Sequence, residues 1–581
     1  MAQATALMNK LGDTIAEQIW LGNLGEVHHL RHDYASASSC YRRALELSRR
    51  LDTAYFTLMW LNKLTEFALD TGDLDEAASW NRQALETSSR VPSRDSGIWA
   101  RLWKARLLAL RGQVRQAREA YREVLAAASP IEERDVIWHA HAGLATLYGA
   151  ARQWGEAENE FRQAARLLEE RRASLSREEW RLTFQARARH LYEDYVDFLM
   201  DRGMHERALE VAEASRARVL TSKLGLVESM RLATARQLRE VARQSRAVLL
   251  SYWLGPRRSY VWVVEPGGIG WRELPPASQI RPLAEAARTA AEALRDLVMT
   301  SEAASRLWDA IVQPVADRLR PPASVIVAPD DALHLVNLET LVAGGDHPHY
   351  WIEDVNLCVT PSLALLARAE ARRVPLGRSL LLIGDPAVAS EQFPRLPAVQ
   401  QEIAGIARFF PPGSREVVTG QAAHPGAYAG RQPGRFSLIH FAAHAVASSE
   451  NPLDSAVILA SQGENWKLYA REVVKIPLRA RLVTLSACRG AGARVYASEG
   501  LVGFAWAFLQ AGADNVIAGL WDVHDASTAV LMERLYERLA RGRSPAVALR
   551  EAKLSLLRAG TAWSKPYYWA AFQLYTRRQP F

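Results

Sequence analysis

Apolar and polar positions change rhythm near residue 245. Before that point apolar and small residues recur at helical spacing, and the spacing itself repeats. Alanines stand at Ala37, Ala77, Ala117 and Ala157, a constant step of 40 residues. Four positions after them come Tyr41, Asn81, Tyr121 and Phe161, and three further on Ala44, Ala84, Val124 and Ala164. A turn precedes each phrase, with Gly72 and Gly112 in two of the four, and a second amphipathic stretch runs upstream of the turn. The pattern predicts units of helix, tight turn and helix, with small residues where the pair packs closely. Each unit leaves an apolar stripe that only the next can cover, so the units stack into a solenoid with a concave face. A fifth, offset unit is expected around Gly203 and Ala208 to Ser215. The repeats are assigned to residues 1–225 and a connecting helix to 226–244.

From 245 to 581 short apolar runs alternate with helical segments. Ala247 to Tyr252 and Ser259 to Val264 flank Gly255 and Pro256 and read as a hairpin. A helical stretch follows over 280–317, then strands at Ser324 to Ala328 and Ser379 to Gly384, and a helix over 398–409. Two more strands are expected at Leu438 to His444 and Leu482 to Cys488. A helix over 499–510 carries the stripe Leu501, Phe504, Ala505, Phe508 and Leu509, with Gly512 suited to its C-cap. A last strand is placed at Asn515 to Trp521. The alternation implies an α/β, doubly wound domain with a largely parallel sheet.

A chain of 581 residues is too long for one core. With 49% apolar and 23% charged residues it is neither disordered nor fibrous in composition. The formal charge of +8 comes from arginines spread without a basic run, so nucleic-acid binding is not indicated. Three cysteines (Cys40, Cys358, Cys488) are too few and scattered for a disulfide framework. No signal-peptide pattern opens the chain and no apolar run approaches the ~18 residues of a membrane span. A cytoplasmic protein without membrane contact is expected.

Two of the apolar runs stop abruptly at residues able to do chemistry, one at His444 and the other, 44 positions later, at Cys488. In a parallel sheet the carboxyl ends of the strands form the edge where ligands bind. A cysteine and a histidine on neighbouring strand ends are a nucleophile and its base. His444 would take the thiol proton and return it to the leaving amine. The backbone N–H groups of Ala445 and Cys488 are the candidate oxyanion donors. Gly490 and Gly492 free the segment after the thiol to turn sharply. Asp522 falls on the same edge. Cys358 reads as an inert buried thiol and His440 as a core histidine that orients its neighbours. His524 is the alternative base. No glutamate directly follows His440 and no CxxC occurs, so neither metal nor cofactor is expected.

The repeats resemble tetratricopeptide repeats, with a 40-residue step where 34 is usual. Ser486-Ala487-Cys488-Arg489-Gly490 resembles the caspase signature, with its histidine about 50 residues upstream. Residues 245–581 are similar to the CHAT domain, a caspase- and separase-like peptidase domain often joined to such repeats. The matches run in order: Ile439 to His444, Pro452 to Ser455, Leu482 to Arg489, Ser498 to Gly500, Ala511 to Ala513, Gly519 to Asp522 and Pro566 to Phe572. Ala212 to Leu220 is similar to the usual passage from repeats into such a domain.

The resemblance implies an all-α tetratricopeptide-like solenoid followed by an α/β caspase-like domain, and a His444–Cys488 dyad that cuts peptide bonds. It departs at Ala445, where the family usually has Gly and a methyl group crowds the oxyanion site or constrains the backbone angle. Ser486 stands where caspases have the glutamine that helps grip an aspartate, which argues against cleavage after Asp. Leu520 to Asp525 resembles the separase stretch that supplies an acidic pocket for arginine. Asp522 or Asp525 is therefore expected to contact a basic side chain, the alternative being that Asp522 caps the next helix. The implied function is regulated proteolysis of a protein substrate, with a protein activator or regulator on the repeat groove, in bacterial defence or cell death. The alternative is a catalytically idle domain serving as an interaction scaffold.

Overall fold

A computed structural model describes residues 13–30, 33–91, 97–174, 188–216, 233–367, 378–388, 392–448, 451–463, 465–487, 494–496, 500–578 and 580–581. The chain divides into two compact units, Met1–Phe198 and Leu199–Phe581. Among the described residues no helix is long and apolar enough to cross a membrane.

The first unit is built from antiparallel helix pairs: Thr14–Leu30 with Tyr34–Arg50, Ala54–Thr71 with Leu74–Ser88, Ile98–Leu110 with Val114–Ala128, and Arg134–Ala150 with Trp154–Ser174. The alanines at 37, 77, 117 and 157 are all fully buried, because a larger side chain would push the paired helices apart. Tyr41, Tyr121 and Phe161 are buried beside them. Asn81 takes the same place in its repeat and donates through Nδ2 to the Ala100 carbonyl of the next helix at 2.8 Å. Gly72 and Gly112 adopt φ of 83° and 73° at the turns, a left-handed geometry open to glycine. Helices of 15 to 21 residues in most pairs carry part of the length beyond a 34-residue repeat. The helix Arg189–Asp201 runs through the boundary between the units, and His205–Ala214, which follows Gly203 at φ 68°, belongs to the second unit.

In the second unit eleven of the described strands form one sheet. In chain order they are β1 (Val248–Leu254), β2 (Ser259–Glu265), β3 (Gly268–Leu274), β4 (Ala323–Ala328), β7 (Val355–Val359), β8 (Leu380–Pro386), β9 (Arg415–Gly420), β10 (Leu438–Ala442), β14 (Leu482–Ser486), β17 (Asn515–Gly519) and β18 (Phe572–Thr576). Three small ladders complete the set: β5 (Val342–Ala343) with β6 (His349–Tyr350), β11 (Ala445–Val446) with β12 (Ala456–Gln462) and β13 (Asn465–Tyr469), and β15 (Arg494–Tyr496) with β16 (Gly500–Val502). The spatial order of the large sheet is β3-β2-β1-β4-β7-β18-β17-β14-β10-β8-β9.

The predicted hairpin is β1 and β2, and a third antiparallel strand, β3, extends it. The rest is parallel except at one junction: β18 runs parallel to β7 but antiparallel to β17. The sheet is therefore two parallel blocks pointing in opposite directions, and the block of β17, β14, β10, β8 and β9 presents its carboxyl ends on the edge where His444 follows β10. Four sequence expectations need correction, two of them the strands placed at Leu438 to His444 and Leu482 to Cys488, which end at Ala442 and Ser486. The helix placed over 499–510 begins only at Phe504, because Gly500 to Val502 pair as β16 and Gly503 is extended at φ 173°. Leu501 thus lies on a strand, while Gly512 caps the helix at φ 119° as expected. The strand placed at 515–521 ends at Gly519, beyond which Leu520 N–H bonds to the Ala571 carbonyl at the edge of β18. Of the connecting helix over 226–244, the described part is Ala235–Ser245 and residues 226–232 lie outside the described residues.

Candidate active site

Four adjacent parallel strands, β8, β10, β14 and β17, end together. The register pairs Gly384 with Ala442 and Ala442 with Ser486, and Leu485 with Ala518 on the far side. Every residue of β10, β14 and β17 is buried, as expected for parallel strands covered on both faces. Gly384 is required here, since a Cβ would come within 2.8 Å of the Ala442 carbonyl. A polar chain ties the strands to the helices above them. The fully buried His440 bonds through Nε2 to Glu402 at 2.8 Å, and the Tyr536 hydroxyl bridges its Nδ1 and Thr484 Oγ1 at 3.2 and 3.1 Å. Glu402 lies on the helix Val399–Ala407 and Tyr536 on Asp525–Ala540, so β10 and β14 are pinned at mid-strand. His440 is the core histidine expected from sequence.

His444 emerges two residues past the end of β10. Its Nε2 lies 2.7 Å from the Pro394 carbonyl oxygen. A carbonyl only accepts, so Nε2 carries the proton and Nδ1 is the basic atom of the neutral ring. Phe393 lies against the imidazole with centroids 5.7 Å apart and touches Trp466 at 5.9 Å. Sequence reasoning missed both partners: a backbone acceptor leaves no mark in a sequence, and Phe393 reads as one apolar residue among many. Cys488 lies outside the described residues, as do Gly490 and Gly492. The strand before it is described through Ala487, whose carbonyl packs on Gly519 with no room for a Cβ there.

Ala445 opens β11. The His444 carbonyl accepts from Ile458 N–H at 2.8 Å, which makes Ala445 and Val457 a non-hydrogen-bonded pair and leaves the Ala445 N–H unused by the ladder. Ala445 is not among the described residues with positive φ, so its methyl group sits on an ordinary backbone. Of the two sequence arguments for an idle domain, a forced backbone angle and a crowded oxyanion site, the first does not apply at Ala445.

Ser486 is the last residue of β14 and is buried. Asp522 is exposed, three residues past β17. It does not cap the following helix: the N-cap is His524, whose Nδ1 accepts from Ser527 N–H at 3.3 Å. That bond and the Tyr568 ring beside it, 5.2 Å between centroids, make His524 a structural residue rather than a base. Asp525 accepts the Ala398 N–H at 2.7 Å and so holds the segment that leads away from Pro394. Cys358 is fully buried, and burial pushes its thiol well above the ordinary range; burial likewise raises Cys40. Neither is poised to act as a nucleophile.

Residues 301–577 match the CHAT domain and residues 11–220 the MalT-like TPR region. Over 107 residues the chain is 36% identical to tetratricopeptide repeat protein 28 of Mus musculus and spans 18% of this chain. Its Homo sapiens counterpart is 33% identical over a stretch of the same length. The matched stretch is only 4% of either relative's length. Among solved structures, the Saccharomyces cerevisiae separase–securin complex aligns with a TM-score of 0.50 at 9% identity, covering 97% of this chain and 50% of that one. At that identity the likeness is one of fold. The second unit contains the region that matches the CHAT domain. The chain as a whole has the TPR–CHAT architecture, tetratricopeptide-like repeats followed by a CHAT domain.

Proposed function

We propose that the chain is a regulated cysteine endopeptidase in which Cys488 is the nucleophile and His444 its base. The observation that carries the reading is the β10–β14 register: Ala442 faces Ser486, and His444 and Cys488 each follow two residues later in sequence. His444 Nδ1 takes the thiol proton, and the thiolate adds to the scissile carbonyl. The tetrahedral oxyanion is held by the N–H groups of Ala445 and Cys488, each typically worth about 3–4 kcal/mol of barrier. Collapse expels the amine, which leaves with the proton from His444. Water, deprotonated by the same imidazole, then hydrolyses the thioester and frees the thiol.

Asp522, with Asp525 and Ser486 behind it, forms the pocket for a basic residue before the cleaved bond. Asp522 is exposed on the edge that carries His444, which supports this role; the Ala398 N–H already engages one Asp525 oxygen. The repeat groove binds a protein activator or regulator, and the chain acts in bacterial defence or cell death, a role that rests on the resemblance alone. A peptide panel varied at the residue before the cut tests the reading. Cleavage after Arg should vanish in Cys488→Ala and weaken through KM in Asp522→Ala. Equal cleavage after Leu and Arg, unchanged by Asp522→Ala, would sink the acidic pocket.

A further inference from the structure

Among the described residues of the edge, Asp385 is the non-glycine residue with a left-handed backbone. It stands at the carboxyl end of β8, beside β10, at φ 42°. L-residues with a Cβ rarely adopt this left-handed geometry, Asp and Asn tolerate it best, and glycine adopts it freely. Strain of this kind gathers where the surrounding structure has a use for it. The Asp385 side chain is only 15% exposed. Its Oδ2 accepts from Gln400 Nε2 at 2.8 Å and lies 3.4 Å from Arg395 Nη2.

These two partners bracket the segment that matters for His444. Arg395 directly follows Pro394, whose carbonyl accepts the His444 Nε2–H. Gln400 sits in the first turn of the helix Val399–Ala407. Residues 394 to 398 belong to neither helix nor strand, so no ladder sets the direction of the Pro394 carbonyl. Among the described residues the segment is held by the buried Phe393 at its start and by side-chain tethers, from Asp385 on one side and from Asp525 to Ala398 N–H on the other.

We propose that Asp385 is a positioning residue for His444, acting through Arg395 and Gln400 to aim the Pro394 carbonyl at the imidazole. The carbonyl then keeps Nε2 protonated and reserves Nδ1 for the thiol. A strained Asp is retained at the end of β8 because glycine would relax the backbone but release the tethers. The inference deepens the peptidase reading and rests on it for its consequence, while the tether itself is a matter of geometry.

The test compares full-length wild type with Asp385→Gly and Asp385→Asn. The first readout is the hydrogen-bonded Nε2–H proton resonance of His444 in histidine-labelled protein, assigned by its loss in His444→Ala. The second is the rate at which a peptidyl chloromethyl ketone labels Cys488. Asp385→Gly should unfold at the same or a higher temperature, lose the resonance, and label at least roughly tenfold more slowly, since small misplacements of catalytic groups are costly. Asp385→Asn keeps an acceptor oxygen and tolerates the backbone, so it should restore the resonance and label within about threefold of wild type. A merely structural turn residue gives the opposite result: Asp385→Gly keeps both resonance and rate, which overturns the proposal. Absence of the resonance from wild type overturns it too. If wild type shows the resonance and Asp385→Gly loses it, yet no variant labels, the positioning role stands and the peptidase reading is what fails.

Discussion

Replacing Glu213 by alanine removes the carboxylate around which the start of the second unit is organised. Glu213 is 1% exposed. Its Oε1 accepts from Arg216 at 2.9 Å and from Ser251 at 2.6 Å; its Oε2 accepts from Ser362 Oγ at 2.8 Å and from the N–H groups of Leu363 and Ala364 at 2.6 and 3.3 Å. It thereby joins the helix His205–Ala214 to β1 and to the first turn of the helix Leu363–Ala367. Arg216 is 3% exposed and would keep Ser251, the Tyr252 carbonyl and the Trp253 ring, but no carboxylate among the described residues. Stranding a buried guanidinium costs about 3–5 kcal/mol. Each orphaned N–H or hydroxyl adds about 1–3 kcal/mol where water cannot reach it, which points to the upper end of that range.

A chain of two units has no single unfolding free energy, so the readout is local hydrogen exchange by mass spectrometry on peptides covering β1 and Leu363–Ala367. A loss of 3 kcal/mol or more corresponds to roughly 100-fold faster exchange there. The double variant Glu213→Leu with Arg216→Met removes both charges and should recover only the share due to the stranded guanidinium, because Ser251, Ser362 and the Leu363 N–H still lack the carboxylate oxygens. Acceleration of less than about tenfold in Glu213→Ala would refute the reasoning and mean that other groups satisfy Arg216.

Glycines in the repeats give a paired sign test. Gly143 packs under Tyr121, and a Cβ would fall 2.2 Å from the ring, so Gly143→Ala should lower the melting temperature through about 1–3 kcal/mol of overpacking. Gly155 has open space around its Cβ position, so Gly155→Ala should raise it through up to about 1 kcal/mol of helix propensity; equal shifts from the two would contradict the packing. Burial, with Trp138 stacked on its ring, holds His139 down to about 4 from 6.5. Above 6.5 both folded and unfolded states are neutral; below it the unfolded chain takes the proton first, so up to about 3 kcal/mol of stability is lost as the pH falls towards 4. Melting curves across that window should flatten in His139→Gln, and an unchanged slope would refute the assignment.

The solenoid was legible because its signal is periodic: four alanines at one spacing, all buried for the same steric reason. β10 and β14 were legible because parallel strands buried on both faces read as apolar runs, but both were carried two residues too far, since an apolar run does not mark where the pairing stops. The reversal of the sheet between β17 and β18 was not, since strand direction depends on pairings between segments far apart. The edge strand β9 went unseen because its residues are mostly half-exposed and make no apolar run. Glu213 stood inside a phrase already marked as a junction, yet its partners lie 38 and 149 positions away. The Pro394 carbonyl and the strain at Asp385 are properties of the backbone, which no residue name announces.

The central claim is tested most directly by intact-protein mass spectrometry after treatment with a peptidyl chloromethyl ketone, in the presence and absence of cell lysate as a source of activator. Wild type, Cys488→Ala and His444→Ala are compared. A single adduct that maps to Cys488, is absent from Cys488→Ala and is strongly reduced in His444→Ala is the expected result. An adduct on another residue, equal labelling without His444, or no adduct under either condition would contradict the account.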